Sequence, residues 1–219
     1  MALNFRWLWL VALLCVSTRA DTVDDWLAAQ SKLKTWTADF TQTRTLTTLK
    51  KPLLSKGRLL FAAPNNFRWQ LGDPAQTIAV RNADAMTVLY PRLKTAERYP
   101  LSGAGNEPWR DALALMDAGF PSSRTELDAR FKLLSLATTN GLHHVVMEPK
   151  SGMAKKFMSQ VQLFLRAEDF AMTANQLQFA DGSTLRNDFK NAVVNPTLPT
   201  NAFTAEIGAD YTVTEPLKK

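Results

Sequence analysis

The side chains most able to do chemistry are few and poorly placed for it. His143 and His144, the two histidines, are adjacent. Neighbours on a strand project to opposite faces, so this pair cannot close on one metal ion. The single cysteine, Cys15, sits in an apolar N-terminal run and would leave with it, taking thiol chemistry away. No G-x-S-x-G elbow presents a serine, and no glycine-rich loop is laid out to cradle phosphates. The acidic pairs Asp24-Asp25 and Glu168-Asp169 fall at an expected helix start and an expected turn, where solvated charge is the ordinary explanation. The residues therefore predict a protein that is not an enzyme, with no catalytic residues, no cofactor and no metal.

Elements must position whatever the chain does instead. Residues 1–20 carry one early cation, Arg6, an apolar run from Trp7 to Val16, and small residues at Thr18 and Ala20. That is the pattern of a cleaved secretory signal peptide, followed by a single domain over 21–219. The run is too short to span a bilayer, which takes about 20 residues. Leu13-Leu14 before Cys15 does not suit a lipoprotein signal. Cleavage after Ala20 would remove 20 of the 219 residues, leaving 199 without cysteine, and loss of Arg6 and Arg19 would lower the net charge from +6 to +4. Stability must then come from packing, not from disulfides. The positive charge is modest and dispersed, which argues for a solvated surface and against a nucleic-acid groove, and is compatible with weak attraction to anionic membranes.

Past the leader, Val23, Trp26, Leu27, Gln30 and Leu33 fall at helical spacing, which predicts an amphipathic helix over 23–33 capped by Asp21 or Thr22. A strand follows over 35–49. The stretch from Gly57 to Leu71 reads as a hairpin: Leu59 and Phe61 alternate, Pro64-Asn65-Asn66 breaks the ladder, and Phe67, Trp69 and Leu71 alternate again. A second hairpin spans 76–90 and a short strand 94–99. The segment 107–118 turns helical after the flexible stretch 102–106, with Leu113 and Met116 on one side, and Ser122 or Ser123 caps a third short helix through Leu127. Strands then resume over 130–137, 142–148, 158–166, 172–180 and 183–194. Roughly ten short strands with helices at the start and middle predict a mainly β (α+β), strongly curved antiparallel sheet instead of a βαβ fold.

Apolar strand residues are abundant, among them Phe40, Leu59, Phe61, Phe67 and Trp69. A bent sheet with an apolar concave face under helices can hold a plain core or a lipid-sized cavity, and periodicity does not separate the two. On the cavity reading, Phe40, Leu59, Phe61 and Phe67 line the space, and Leu113 and Met116 cap it. A charged residue at position 67 is then expected to weaken lipid handling and leave folding mostly intact.

Three pieces, in order, carry a resemblance: Thr37-Ala38-Asp39-Phe40-Thr41-Gln42; Gly57-x-Leu59-x-Phe61-x-x-Pro64-Asn65-x-Phe67-Arg68-Trp69; and Phe189-x-Asn191 with Asn195-Pro196-x-Leu198-Pro199 and Phe203. Together they resemble the LolA family of periplasmic outer-membrane lipoprotein carriers. The resemblance implies an incomplete antiparallel β-barrel under a helical lid. It implies an apolar cavity that shields lipoprotein acyl chains between an inner-membrane ABC transporter and an outer-membrane receptor, in a periplasmic monomer. By it, Phe67 matches a phenylalanine implicated in cargo handling and Trp69 its neighbouring tryptophan. One position departs: many carriers place an arginine before the hairpin proline, where it ties the lid shut, and here that residue is Ala63. Arg68 is expected to face elsewhere. Two other readings stay open, a carrier of another lipid or hydrophobic envelope product such as a glycolipid or pigment, and an envelope regulatory or sensing module that binds a protein partner.

Overall fold

Fourteen residues of helix lead into the sheet. The computed structural model describes residues 18–102, 120–121 and 123–216. Helix α1 (Thr18–Ser31) buries Val23, Trp26 and Leu27, the stripe expected from their spacing. It begins before the Asp21 or Thr22 cap read from the sequence, so Asp24 and Asp25 lie inside it and not at its start; Asp24 meets Arg124 at 3.5 Å. The strands follow: β1 (Thr35–Thr45), β2 (Leu53–Ala62), β3 (Asn66–Leu71), β4 (Thr77–Arg81), β5 (Ala85–Tyr90) and β6 (Thr95–Pro100). Helix α2 (Arg124–Arg130) comes next, then β7 (Phe131–Thr139), β8 (Leu142–Pro149), helix α3 (Gly152–Phe157), β9 (Met158–Arg166), β10 (Met172–Phe179), β11 (Thr184–Val194) and β12 (Thr212–Thr214). The expected helix over 107–118 lies outside the described residues.

These strands form one sheet in the order β12-β6-β5-β4-β3-β2-β1-β11-β10-β9-β8-β7. Every pairing is antiparallel except that of β12 with β6. The sheet is open, with β12 and β7 at its edges. It is also curled: Met86 from β5 and Leu136 from β7, near opposite edges, belong to one buried apolar cluster with α1 and α2. An incomplete barrel is thus what forms, with twelve strands among the described residues where about ten were expected.

Turn chemistry fixes the registers. Asn140 and Gly141 both take positive φ, 51° and 75°, and join β7 to β8 by a two-residue turn that suits the sheet's twist. The convex side has a second, smaller core in which Phe203, Ala205 and Tyr211 pack on Val80, Leu89 and Ala96. The C-terminal segment thus covers the back of β4 to β6.

Candidate functional site

Alternation along β1, β2 and β3 sets the site. Phe40 faces Gly57 across one pairing, Leu59 faces Trp69 across the next, and Phe61 faces Phe67. All five expected strand residues, Phe40, Leu59, Phe61, Phe67 and Trp69, therefore share the concave face and one apolar cluster. Leu113 and Met116 lie outside the described residues.

The five do not stand apart around an empty space. The Phe40 ring lies 4.1 Å from that of Trp69, and Phe61 stacks on Phe120 at 4.2 Å with only 11° between the planes. Trp36 closes the group, 5.5 Å from Phe120 and 5.1 Å from Phe189. Aromatic pairs at these separations hold each other by more than area alone. Phe67 is 6% exposed, so a charge at that position would be stripped of water. The expectation that such a substitution leaves folding mostly intact does not survive this burial.

A cavity of about 290 Å³ remains at the α1 end of this face, lined by Gln30, Leu33, Trp36, Phe120, Phe170 and Met172. Among the described residues, two buried polar atoms on α1 find no hydrogen-bond partner, Nε1 of Trp26 and Oε1 of Gln30. Larger grooves, of about 520 and 570 Å³, lie on the convex side among charged residues such as Lys56, Arg58 and Arg68.

Toward the β6 edge the concave face turns polar. Tyr99 Oη donates to Glu97 Oε2 at 2.7 Å. Burial, then the Glu97 hydrogen bond and charge, push the Tyr99 phenol up to about 12, and the same causes raise Tyr90. The histidines are structural in their surroundings. His143 Nδ1 lies 2.7 Å from Thr138 Oγ1 with its ring on Phe170, whereas His144 Nε2 meets Gln162 Oε1 at 3.0 Å with its ring on Phe164. Among the described residues no three His, Cys, Asp or Glu side chains gather as a metal site. Asp169 is held by Arg166 through two hydrogen bonds of 2.8 and 2.6 Å, which lower its carboxyl below the usual range.

Sequence reasoning did not place Trp36 or Phe120 in the site. Trp36 carried a usable signal, since it alternates with Ala38 and Phe40; Phe120, between Gly119 and Pro121, carried none. Arg68 does face elsewhere: its Nη1 donates to the Thr204 carbonyl at 3.3 Å on the convex side. Ala63 is exposed at the end of β2, and its amide donates to the Lys34 carbonyl at 2.8 Å.

The family described as outer membrane lipoprotein carrier protein LolA matches residues 31–206. The chain belongs to the LolA family. A relative from Bordetella avium (strain 197N), named outer-membrane lipoprotein carrier protein, is 28% identical over 205 residues, covering 92% of each chain. One of the same name from Dechloromonas aromatica (strain RCB) is 26% identical over 203 residues, covering 92% of this chain and 90% of its own. The crystal structure of an uncharacterized conserved protein from Thermus thermophilus shares the fold at a TM-score of 0.52, with 9% identity over 90% of this chain and 98% of that one.

Within this LolA-family chain, the C-terminal asparagines that carried the resemblance acquire physical content. Asn195 adopts φ 54°, its Oδ1 accepts from the amides of Lys34 (2.7 Å) and Thr35 (3.2 Å), and its Nδ2 donates to the Lys32 carbonyl at 3.2 Å. It pins the junction of α1 and β1 to the end of β11. Asn191, at φ 53°, donates to Asp39 across the β1–β11 ladder at 3.0 Å.

Proposed function

We propose that this protein is a periplasmic carrier that shields the acyl chains of lipoproteins on its concave aromatic face during transport from the inner to the outer membrane. The observation that carries the reading is the match to a carrier family over residues 31–206, on a chain whose concave face is aromatic. Residues 1–20 act as the secretory leader. Their removal leaves Val23, Trp26 and Leu27, the buried part of α1, in place.

The energetics are adequate. Each buried methylene contributes about 0.8 kcal/mol, so a chain of about 16 carbons supplies on the order of 10 kcal/mol, offset by opening the face and ordering the chain. Loading requires Phe120 to leave Phe61, because the stacked rings fill the space an acyl chain needs. Leu113 and Met116 cap the face, and Phe40, Leu59, Phe61, Phe67 and Trp69 form it. Trp26 Nε1 and Gln30 Oε1, without a partner among the described residues, bond polar atoms at the head of the cargo. An inner-membrane ABC transporter loads the carrier and an outer-membrane receptor unloads it by binding the cargo more favourably. No step alters the cargo, so the protein is not an enzyme.

Native mass spectrometry of the protein recovered from the periplasm of its host, with organic extraction of what travels with it, tests the reading. A bound acylated peptide or lipoprotein supports it. A free glycolipid or pigment moves the protein to the second reading, which Ala63 in the arginine position favours. A stable protein partner with no lipid assigns it to envelope sensing.

A further inference from the structure

The β1–β2 ladder ends where Arg44 pairs with Leu53, and every residue from Thr47 to Leu54 at its tip is exposed. Leu49, Leu53 and Leu54 are 46%, 49% and 70% exposed, an unusual grouping for large apolar side chains. Lys50 and Lys51 stand between them, and no acidic residue occurs from residue 40 to residue 72. Asp181 is in the β10–β11 turn, whose Gly182 lies beside Thr47; its Oδ1 already accepts from the Ser183 amide at 2.9 Å and from the Ser183 hydroxyl at 2.5 Å.

We propose that this tip enters the headgroup region of an anionic phospholipid bilayer, with its leucines in the acyl boundary and its lysines against lipid phosphates. The arrangement of the leucines favours a bilayer over a protein surface. Leu53 and Leu54 are consecutive on β2 and project to opposite faces, and Leu49 lies in the connecting loop. A protein surface covers one face of a hairpin, whereas the interfacial region of a bilayer surrounds the whole tip. The flanking cations add an attraction that anionic lipid satisfies and neutral lipid does not. The inference stands whether or not the concave face holds a lipoprotein.

Flotation of the purified protein with vesicles of phosphatidylglycerol and phosphatidylethanolamine, against vesicles of phosphatidylcholine alone, tests it. The protein is expected to float with the anionic vesicles and to be released by high salt. Leu53→Ser with Leu54→Ser should lower partitioning about tenfold, and Lys50→Gln or Lys51→Gln about fivefold each. These positions are exposed, so unchanged circular dichroism is expected for each variant, and any residual leader is common to all of them. A second measurement locates the contact: Thr48→Cys bearing an environment-sensitive fluorophore should shift to the blue on anionic vesicles. Flotation that ignores lipid charge and the substitutions, or a fluorophore that stays in water, overturns the proposal and leaves these leucines to a protein partner.

Discussion

The ring of Phe40 lies over the bare α-carbon of Gly57. A Cβ built on that glycine would stand 2.2 Å from Phe40 Cζ and 2.3 Å from the Gln70 carbonyl oxygen. The missing side chain is therefore what lets Phe40 lie flat enough to meet Trp69. Gly57→Ala is expected to lower stability by about 1–3 kcal/mol through overpacking, read as the shift in urea midpoint. Adding Phe40→Ala should not restore the glycine background, because the Gln70 carbonyl obstructs the new methyl even when the ring is gone.

Gln30→Met has the opposite expected sign. The substitution keeps length and helix propensity while removing a buried carbonyl oxygen that has no partner among the described residues. Stability should rise by about 1 kcal/mol, seen as a higher thermal midpoint. If this oxygen meets the polar head of the cargo, the same variant should bind acylated peptide more weakly.

Asn195 separates backbone from side-chain contributions. Asn195→Ala loses three side-chain hydrogen bonds and must hold φ 54° without asparagine's tolerance for it, an expected loss of about 2–3 kcal/mol. Asn195→Gly keeps the backbone geometry and should lose less. Equal losses in equilibrium unfolding would show that the φ angle contributes nothing.

The Tyr99 phenol should ionise near pH 12, read by tyrosinate absorbance. Its folded pKa lies above the unfolded value near 10, so its contribution to stability is fully present below pH 10 and is lost as the pH rises from there through 12. Glu97→Gln removes the charge and weakens the hydrogen bond, so the ionisation should move back toward 10. A titration unmoved by Glu97→Gln would leave burial, with the Tyr90 charge, as the cause.

Arg68→Ala should loosen the C-terminal segment without disturbing the aromatic face, because its contact is with the Thr204 carbonyl on the convex side. Faster limited proteolysis within residues 196–211, at an unchanged urea midpoint, is the expected result.

Much of the sheet could be read because its strands alternate cleanly. The β2–β3 hairpin turns at residues 63–65, where Pro64 cannot donate to a ladder, and β9 has the bounds its alternation marked, Met158 to Arg166. Short elements escaped. Helix α3 has six residues, too few for a helical period to show, although Ser151 Oγ accepting from the Ala154 amide at 3.3 Å gave it a capping residue. Strand β12 has three, and only its pairing with β6 defines it. That five strand residues share the concave face was legible from alternation, but their close packing was not. Periodicity reports which face a ring occupies, and says nothing of whether Phe61 faces open space or Phe120.

The parallel pairing of β12 with β6 bears on how much of this open sheet's margin is left for another strand. Thr212, Val213 and Thr214 pair with Thr95, Ala96 and Glu97, so part of the outer backbone of β6 is already engaged within the chain. At the opposite margin, the register of β7 slips between Leu133 and Ser135, and such a break makes a poor template for another strand. A half-closed barrel has two margins where fibril-like growth could start. Here one is engaged by the chain's own tail and the other is crooked, so neither offers a long, regular template for another strand.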